Sequence, residues 1–244
     1  MKEIKEQLKY LHLANLSGRL DFYLQEAESK KLSHPKFLKQ IIKDEYEHRV
    51  EKARKARITK AKIPVPYSID TFPFEKEPHI DRARLLARYD SLDYITGPKS
   101  LIFVGAIGSG KTGLATGLLM NALANGYSGK FMIFADLMEE LYRSQADESG
   151  KVIINKYSKI DCLLIDEVGR MPLEKKQIAL FYNLIQQRHK KKCTIITTDL
   201  GLKEWDLFIE DKRMAAAIVD RLADGGHIIH LKNCKNLRPP PDID

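Results

Sequence analysis

Two features typical of secreted and metal-binding proteins are scarce in this sequence. Its 244 residues include three cysteines, Cys162, Cys193 and Cys234, and its seven histidines are scattered. An odd number of widely spaced cysteines does not suggest a disulfide framework, and no Cys/His group has the spacing of a zinc site. The sequence therefore predicts buried, reduced thiols in a cytoplasmic protein, and it predicts no zinc.

Long apolar runs are also absent. No stretch approaches the ~20 apolar residues that span a bilayer. The opening "MKEIKEQLKY" is charged and lacks the apolar core of a signal peptide. Hydrophobic residues make up 43% of the chain, enough for a packed core. We expect a folded protein without a membrane anchor.

Acidic residues are too few to balance the basic ones near the beginning of the chain. Residues 1–66 contain 16 Lys and Arg against 9 Asp and Glu, whereas residues 67–244 contain 25 against 24. Residues 1–66, called the basic head below, thus carry most of the net positive charge, and residues 67–244, called the body, are almost neutral. A polyanionic partner such as nucleic acid would explain this asymmetry, and a solvated helical face is the alternative.

A glycine-rich segment, "GAIGSGKT", runs from Gly105 to Thr112. This is a complete G-x-x-x-x-G-K-T phosphate loop, set between an apolar run and a predicted helix that ends at Gly126. Lys111 would contact the β- and γ-phosphates, and Thr112 would ligate Mg²⁺. The predicted phosphate-binding residues are Gly105, Ala106, Ile107, Gly108, Ser109, Gly110, Lys111, Thr112 and Gly113.

Two further predicted strands end in polar residues. "DCLLIDEVG" ends in Asp166, a candidate Mg²⁺ ligand, and Glu167, a candidate general base for an attacking water. P-loop kinases of small molecules often lack such a glutamate. "CTIITTD" ends in Thr197, Thr198 and Asp199, any of which could sense the γ-phosphate or form an ordinary polar strand end.

The basic head is predicted to be helical. Apolar spacing predicts helices over residues 2–14, from an N-cap at Ser17 to Lys31, and from a cap at Ser33 onward. The third helix carries a predicted core-facing stripe of Phe37, Leu38, Ile41, Ile42, Tyr46 and Val50. Its basic end is the predicted DNA contact, with a solvated tip as the alternative. The candidate residues are Arg49, Lys52, Arg54, Lys55, Arg57, Lys60 and Lys62.

Prolines separate the head from the body. Pro64, Pro66 and Pro73 predict an extended hinge near residues 63–75, and hence domains of 1–66 and 67–244. Beyond a helix at 79–94, predicted strands include Phe131–Ala135, Cys162–Ile165 and Thr194–Thr197. Helices are predicted from Asp136, at 173–189 and after Leu202. This alternation predicts an α/β fold with a parallel sheet covered by helices on both faces.

With these motifs placed, the chain resembles the IstB-like ATPases, which are transposition helpers of bacterial insertion elements related to the DnaC helicase loader. The resemblance rests on "LKYLHLANLSGRLDFYLQEA", "HRVEKARKARITKAKIPVPYSIDTFPF", "GAIGSGKT", "LLIDEVGRMPL", "TIITTDLGLKEW" and "AAAIVDRLADGGHIIHL". It implies a P-loop AAA+ module after a small all-helical domain. It also implies ATP and Mg²⁺ as cofactors, ATP bound at the interfaces of a homo-oligomer, and double-stranded DNA and the element's transposase as partners.

The resemblance also assigns residues. Lys111, Thr112, Asp166 and Glu167 take the roles given above, and Arg221 takes the position of an arginine finger that acts on a neighbouring subunit. The family usually has Asn where this chain has Asp199. Because an acid donates no hydrogen bond unless protonated, either Thr198 senses the γ-phosphate or hydrolysis is slow. Too few residues follow Arg221 for a C-terminal lid, and Arg238 receives no role.

Four functions remain open at this point. The first is a DNA-binding AAA+ ATPase that serves a transposase, with Lys151 and Lys156 as weaker candidates for contacts in a DNA channel. The second is a helicase loader that prefers single-stranded DNA, which would need more exposed apolar surface on the head. The third is a small-molecule P-loop kinase, and the fourth is a nucleotide switch that does not hydrolyse ATP.

Overall fold

The structure, a computed structural model, describes residues 1–76, 79–144 and 150–232. Cys234, Arg238 and the prediction that no lid follows the body lie outside these residues. The chain divides into two compact units, Met1–Ala56 and Arg57–Asp244. This division falls ten residues before the predicted domain boundary at residue 66. Packing explains the difference, because Ala61 is fully buried in the core of the second unit.

The first unit contains α1 (Lys2–Tyr10), α2 (Ala14–Ser29) and most of α3 (His34–Ala61). Ser17 is not the predicted N-cap, since α2 begins at Ala14. The Ser17 side chain is buried, and its hydroxyl donates to the Lys5 carbonyl at 3.0 Å. The start of α3 directly after Ser33 agrees with the predicted position of the cap.

The predicted core-facing stripe of α3 is wrong for four of its six residues. Leu38, Ile42, Tyr46 and Val50 are exposed, by 52%, 65%, 67% and 43%. The face that contacts α2 is partly polar instead. Buried Glu45 accepts a hydrogen bond from the Leu16 amide at 2.9 Å, and Asp44 accepts one from the Tyr23 hydroxyl at 2.9 Å. Polar groups thus make part of the contact of α3 with α2, and four residues of the apolar stripe are left exposed to solvent.

The second unit is built around a parallel sheet. Its helices are α4 (Arg82–Ser91), α5 (Asp93–Thr96), α6 (Lys111–Ala124), α7 (Phe134–Arg143), α8 (Gly150–Lys159), α9 (Lys175–Arg188) and α10 (Lys212–Ala223). Its strands are β1 (Leu101–Gly105), β2 (Gly129–Ile133), β3 (Cys162–Val168), β4 (Cys193–Thr198) and β5 (His227–Leu231). The strand order is β2-β3-β4-β1-β5, and every neighbouring pair is parallel.

Alternate residues of the central strands enter two separate cores. Ile102 and Ile196 pack with α7, α9 and α10, whereas Leu101 and Ile195 pack with α6. All four strand residues are fully buried. The predicted α/β fold, a parallel sheet with helices on both faces, is therefore confirmed.

Several predicted boundaries differ from the structure. The strand expected over Phe131–Ala135 ends at Ile133, and α7 begins at Phe134. The helix expected over 79–94 is divided, because Leu92 adopts a left-handed backbone with φ 53°. Strand β5 was not predicted. Cys162 and Cys193 are buried free thiols, as expected, and no helix within the described residues is long and apolar enough to cross a membrane.

Candidate nucleotide-binding site

The phosphate loop connects the end of β1 to the start of α6. Gly108 and Gly110 adopt φ values of 82° and 87°, a region in which side chains are strained. A Cβ on Gly105 would lie 2.7 Å from the Leu231 carbonyl oxygen of β5, so only glycine fits there. The loop sequence is thus required both by its own turns and by the neighbouring strand.

The loop presents cationic and hydrogen-bonding groups suited to an anion. Lys111 opens α6, and its Nζ donates to the carbonyls of Gly105 and Ala106 at 2.7 and 2.8 Å. The Ser109 hydroxyl is buried and has no hydrogen-bond partner among the described residues. The N-terminal amides of α6 begin at Gly110, which has no side chain to cap them. A phosphate would satisfy these donors, so the residues fit a nucleotide.

Asp166 joins three elements at the end of β3. Its carboxylate is buried and accepts hydrogen bonds from Thr112 at 3.0 Å and from the Thr197 hydroxyl. The Thr112–Asp166 contact places two hard oxygen ligands together, as a Mg²⁺ site requires. Within the described part of the chain, no three His, Cys, Asp or Glu side chains form a metal-binding group. Substrate and water would therefore supply the remaining ligands.

Glu167 adopts a strained backbone beside Asp166. Its φ is 63°, and it lies at an irregularity in the pairing of β3 with β4. Its amide donates to Thr197 at 3.0 Å, and its carboxylate accepts from Arg170 Nη1 at 2.5 Å. Arg170 Nε also lies 3.9 Å from Asp199. Arg170 was missed from the sequence, where only its position after the acidic pair could have drawn attention.

A cavity of about 350 Å³ lies at this site. Lys111, Thr112, Glu167 and the three polar residues at the end of β4 line it. Four further lining residues come from the predicted hinge and the residues just after it: Tyr67, Phe72, Pro73 and Lys76. The Tyr67 ring lies 3.4 Å from where a Cβ of Gly113 would be, directly against α6. The segment predicted to be a hinge therefore forms a wall of the site. Its aromatic residues are the sequence feature that could have indicated this role.

The remaining predicted catalytic residues lie in different environments. Thr198 lines the cavity, but its hydroxyl also accepts from the Leu200 amide at 3.1 Å. Arg221 is not a lining residue. Its guanidinium lies 4.6 Å above the Tyr182 ring and donates to the Ala217 carbonyl at 2.9 Å. The structure thus does not bring Arg221 into the cavity of its own chain.

The predicted DNA-contact residues also divide into two groups. Arg49 is a donor within its own unit, to Glu45 at 3.2 Å and to the His12 carbonyl at 2.6 Å. Arg57 donates to the Leu123 carbonyl at 2.8 Å. The others are exposed or half-buried, namely Lys52, Arg54, Lys55, Lys60 and Lys62. Of these, Arg54 and Lys55 lie near Glu51. Lys156 pairs with Glu140 at 3.0 Å, and the Lys151 side chain lies outside the described residues.

Lys130 on the edge strand β2 is a basic residue that the sequence reasoning missed. Its Nζ donates to the Lys60 carbonyl at 3.5 Å. Burial, together with the nearby charges of Lys62 and Lys156, lowers the pKa of Lys130. Lys62, Lys130 and Lys156 therefore lie near one another at this edge of the sheet, where Glu140 pairs with Lys156.

Comparison with solved structures agrees with this fold. AMPPCP-bound DnaA from Aquifex aeolicus matches with a TM-score of 0.56 and 18% identity, over 72% of this chain and 52% of that chain. The DnaC helicase loader matches with a TM-score of 0.50 and 23% identity, over 62% and 90%. At these identities the likeness shows the P-loop AAA+ fold.

Comparison of sequences identifies the family. A protein of insertion sequence IS232 from Bacillus thuringiensis subsp. berliner, named for ATP binding, is 27% identical over 94% of this chain and 92% of its own length. A similarly named protein of IS5376 from Geobacillus stearothermophilus is 30% identical over 95% and 92%. The family described as IstB-like ATP binding protein matches residues 6–238, so the chain belongs to that family of ATP-binding proteins.

Proposed function

We propose that this protein is an ATP-hydrolysing helper that assembles on duplex DNA and recruits or activates the transposase of an insertion element. The observation that carries the proposal is the convergence of Lys111, Thr112 and Glu167 on one cavity, with buried Asp166 accepting a hydrogen bond from Thr112 at 3.0 Å. A nucleotide-binding module that did not hydrolyse would need Lys111 and the loop, but it would not need Glu167 at the cavity wall.

In this mechanism each side chain has one task. Lys111 and the loop amides bind the phosphates, and Thr112 and Asp166 hold Mg²⁺, which when bound neutralises charge on the phosphates. Glu167 accepts a proton from the attacking water as the water oxygen bonds to the γ-phosphorus and the bond to ADP breaks. Thr197 positions both acids, since it contacts the carboxylate of Asp166 and the amide of Glu167.

Arg221 would act on a neighbouring subunit. Its place outside the cavity of its own chain supports action in trans, because a finger that served its own site would have to line it. ATP would then lie at subunit interfaces, and hydrolysis would depend on assembly. Arg221→Ala should lower turnover while leaving nucleotide binding to isolated subunits unchanged.

Basic residues in both units support a duplex partner. Exposed Lys52 and Lys60 have no ion pair among the described residues, and Lys130 lies close enough to Lys62 and Lys156 for their charges to lower its pKa. Phosphate contacts of this kind give affinity that depends on salt and not on sequence. Each Lys→Gln change at a true contact should reduce the slope of log affinity against log salt by about 1.

The test is binding to duplex and single-stranded DNA of equal length, measured by fluorescence anisotropy with AMPPCP, with ADP, and with ATP for the Glu167→Gln variant. We expect tight duplex binding with AMPPCP, weaker binding with ADP, and prolonged binding for Glu167→Gln in ATP. Loss of all nucleotide dependence on both kinds of DNA would contradict the proposal.

A second function, that of a helicase loader, is favoured by one observation. The exposed stripe of Leu38, Ile42 and Tyr46 on α3 is the apolar surface that a partner-binding head needs. The same anisotropy experiment separates the two functions, because a loader would prefer single-stranded DNA.

A further inference from the structure

An arginine lies between two acidic residues at the cavity wall. Arg170 Nη1 donates to Glu167 at 2.5 Å, and Arg170 Nε is 3.9 Å from Asp199. The side chains of Arg170, Glu167 and Asp199 are 39%, 34% and 30% exposed, and all three line the nucleotide cavity. The Arg170 guanidinium thus donates a hydrogen bond to Glu167, the candidate general base. On its other side it lies near Asp199, at the predicted γ-phosphate-sensing position.

The contact restricts what Glu167 can do. While Arg170 Nη1 donates to Glu167 Oε1 at 2.5 Å, that oxygen cannot accept a comparable hydrogen bond from a water in the same direction, which leaves Oε2 as the acceptor. The Arg170 side chain is 39% exposed, so its movement can release Glu167.

Asp199 has no hydrogen-bond donor to offer a γ-phosphate, although it lies at the predicted sensing position. Its carboxylate can only accept hydrogen bonds when ionised, whereas Arg170 carries five N–H groups. The ion pairs with Glu167 and Asp199 are the contacts of the Arg170 guanidinium among the described residues, so part of its donor set remains available. Asp199 and Arg170 together therefore offer a cationic donor at the strand end where Asp199 alone offers none.

We propose that Arg170 responds to the γ-phosphate: it pairs with Glu167 in the absence of ATP and, with Asp199 beside it, turns to donate to the γ-phosphate. Glu167 is then free to accept the proton of the attacking water. The driving force is the stronger attraction of a guanidinium to a phosphate bearing more negative charge than one carboxylate. This inference rests on the proposed ATPase function.

Nucleotide affinity tests the inference separately from turnover. For the full chain, dissociation constants for AMPPCP and ADP are measured with wild type, Arg170→Gln, Asp199→Ala and the double variant. We expect Arg170→Gln to weaken AMPPCP binding by about tenfold and to leave ADP binding unchanged. Asp199→Ala removes the carboxylate beside Arg170 without adding a donor, so it should weaken AMPPCP binding by less, and it should have no further effect when Arg170 is already Gln.

Turnover gives a second readout. Arg170→Gln should lower kcat and raise KM for ATP, and Arg170→Lys should restore part of both. Arg143→Gln is the matched control, since Arg143 pairs with Glu139 at 2.6 Å on the surface of α7 outside the cavity. We expect it to change neither constant, and melting temperatures check that every variant is folded.

Two results would overturn the inference. In the first, Arg170→Gln shifts AMPPCP and ADP affinity equally or not at all; in the second, it raises kcat, which would make Arg170 only an inhibitor of Glu167. If wild type bound AMPPCP without ever hydrolysing ATP, the proposed ATPase function would fail, and the ratio of AMPPCP to ADP affinity would still decide whether Arg170 senses the γ-phosphate.

Discussion

The two compact units bury their apolar residues to very different extents. In the second unit the central strands are fully buried on both faces, as Ile102, Leu164 and Ile196 illustrate. In the first unit α3 exposes Leu38, Ile42 and Tyr46, and its contact with α2 depends on polar groups such as Glu45. The sheet unit thus holds its candidate catalytic side chains in dense packing, whereas the helical unit leaves apolar surface exposed.

The largest effect is expected from a substitution in the nucleotide-binding site, which should change the second unit and not the first. Lys111→Ala should reduce ATP hydrolysis by about a hundredfold or more, because it removes the charge beside the phosphates. The helical unit should be unaffected, with unchanged circular dichroism and unchanged salt-dependent DNA binding in the absence of nucleotide. Lys176→Ala, on the exposed face of α9, is the control for loss of a lysine. Equal losses in both variants would contradict the assignment.

A matched pair of isoleucines tests the difference in packing. Ile196→Ala in β4 should lower the free energy of unfolding by about 2–5 kcal/mol, since the side chain is fully buried. Ile42→Ala in α3 should change it by no more than about 0.5 kcal/mol, since that side chain is 65% exposed. Urea titration monitored by circular dichroism measures both. A large cost at Ile42 would mean that the stripe is part of a core.

The polar anchor of the helical unit should have a smaller, local effect. Glu45→Ala leaves the buried Leu16 amide without its acceptor, at a cost of about 1–3 kcal/mol. Glu45→Gln keeps an acceptor oxygen and should cost less. Hydrogen exchange should show faster exchange in α1 and α2 and no change in the sheet. Faster exchange in β1 or β3 would show that the two units do not unfold separately.

The smallest expected effect is a pH dependence at β5. Burial, with Arg88 and Lys99 nearby, lowers the pKa of His227 from 6.5, and its Nε2 has no partner among the described residues. Below pH 6.5 the unfolded state then binds more protons than the folded state, so stability falls as pH falls. His227→Gln should flatten this loss between about pH 5 and pH 7, as measured by urea midpoints. An unchanged slope would exclude His227 as the cause.

The sequence predicted those parts of the second unit whose conformation depends on residues close together in the chain. The phosphate loop, β3 and β4 follow from glycine conformations and from apolar runs that end in polar residues. Strand β5 was missed because five residues with two histidines carry little apolar signal. The roles of Tyr67 and Arg170 depend on contacts made only after folding. In α3, apolar spacing correctly indicated a helix, but it did not indicate that Glu45 lies on the buried face.

The most direct test of the account is steady-state ATP turnover with and without duplex DNA, for wild type and Glu167→Gln. The account predicts measurable turnover that duplex DNA increases in wild type and that Glu167→Gln removes, with AMPPCP binding intact in both. Binding of AMPPCP without turnover in wild type, with or without DNA, would contradict it and make the protein a nucleotide switch that does not hydrolyse ATP.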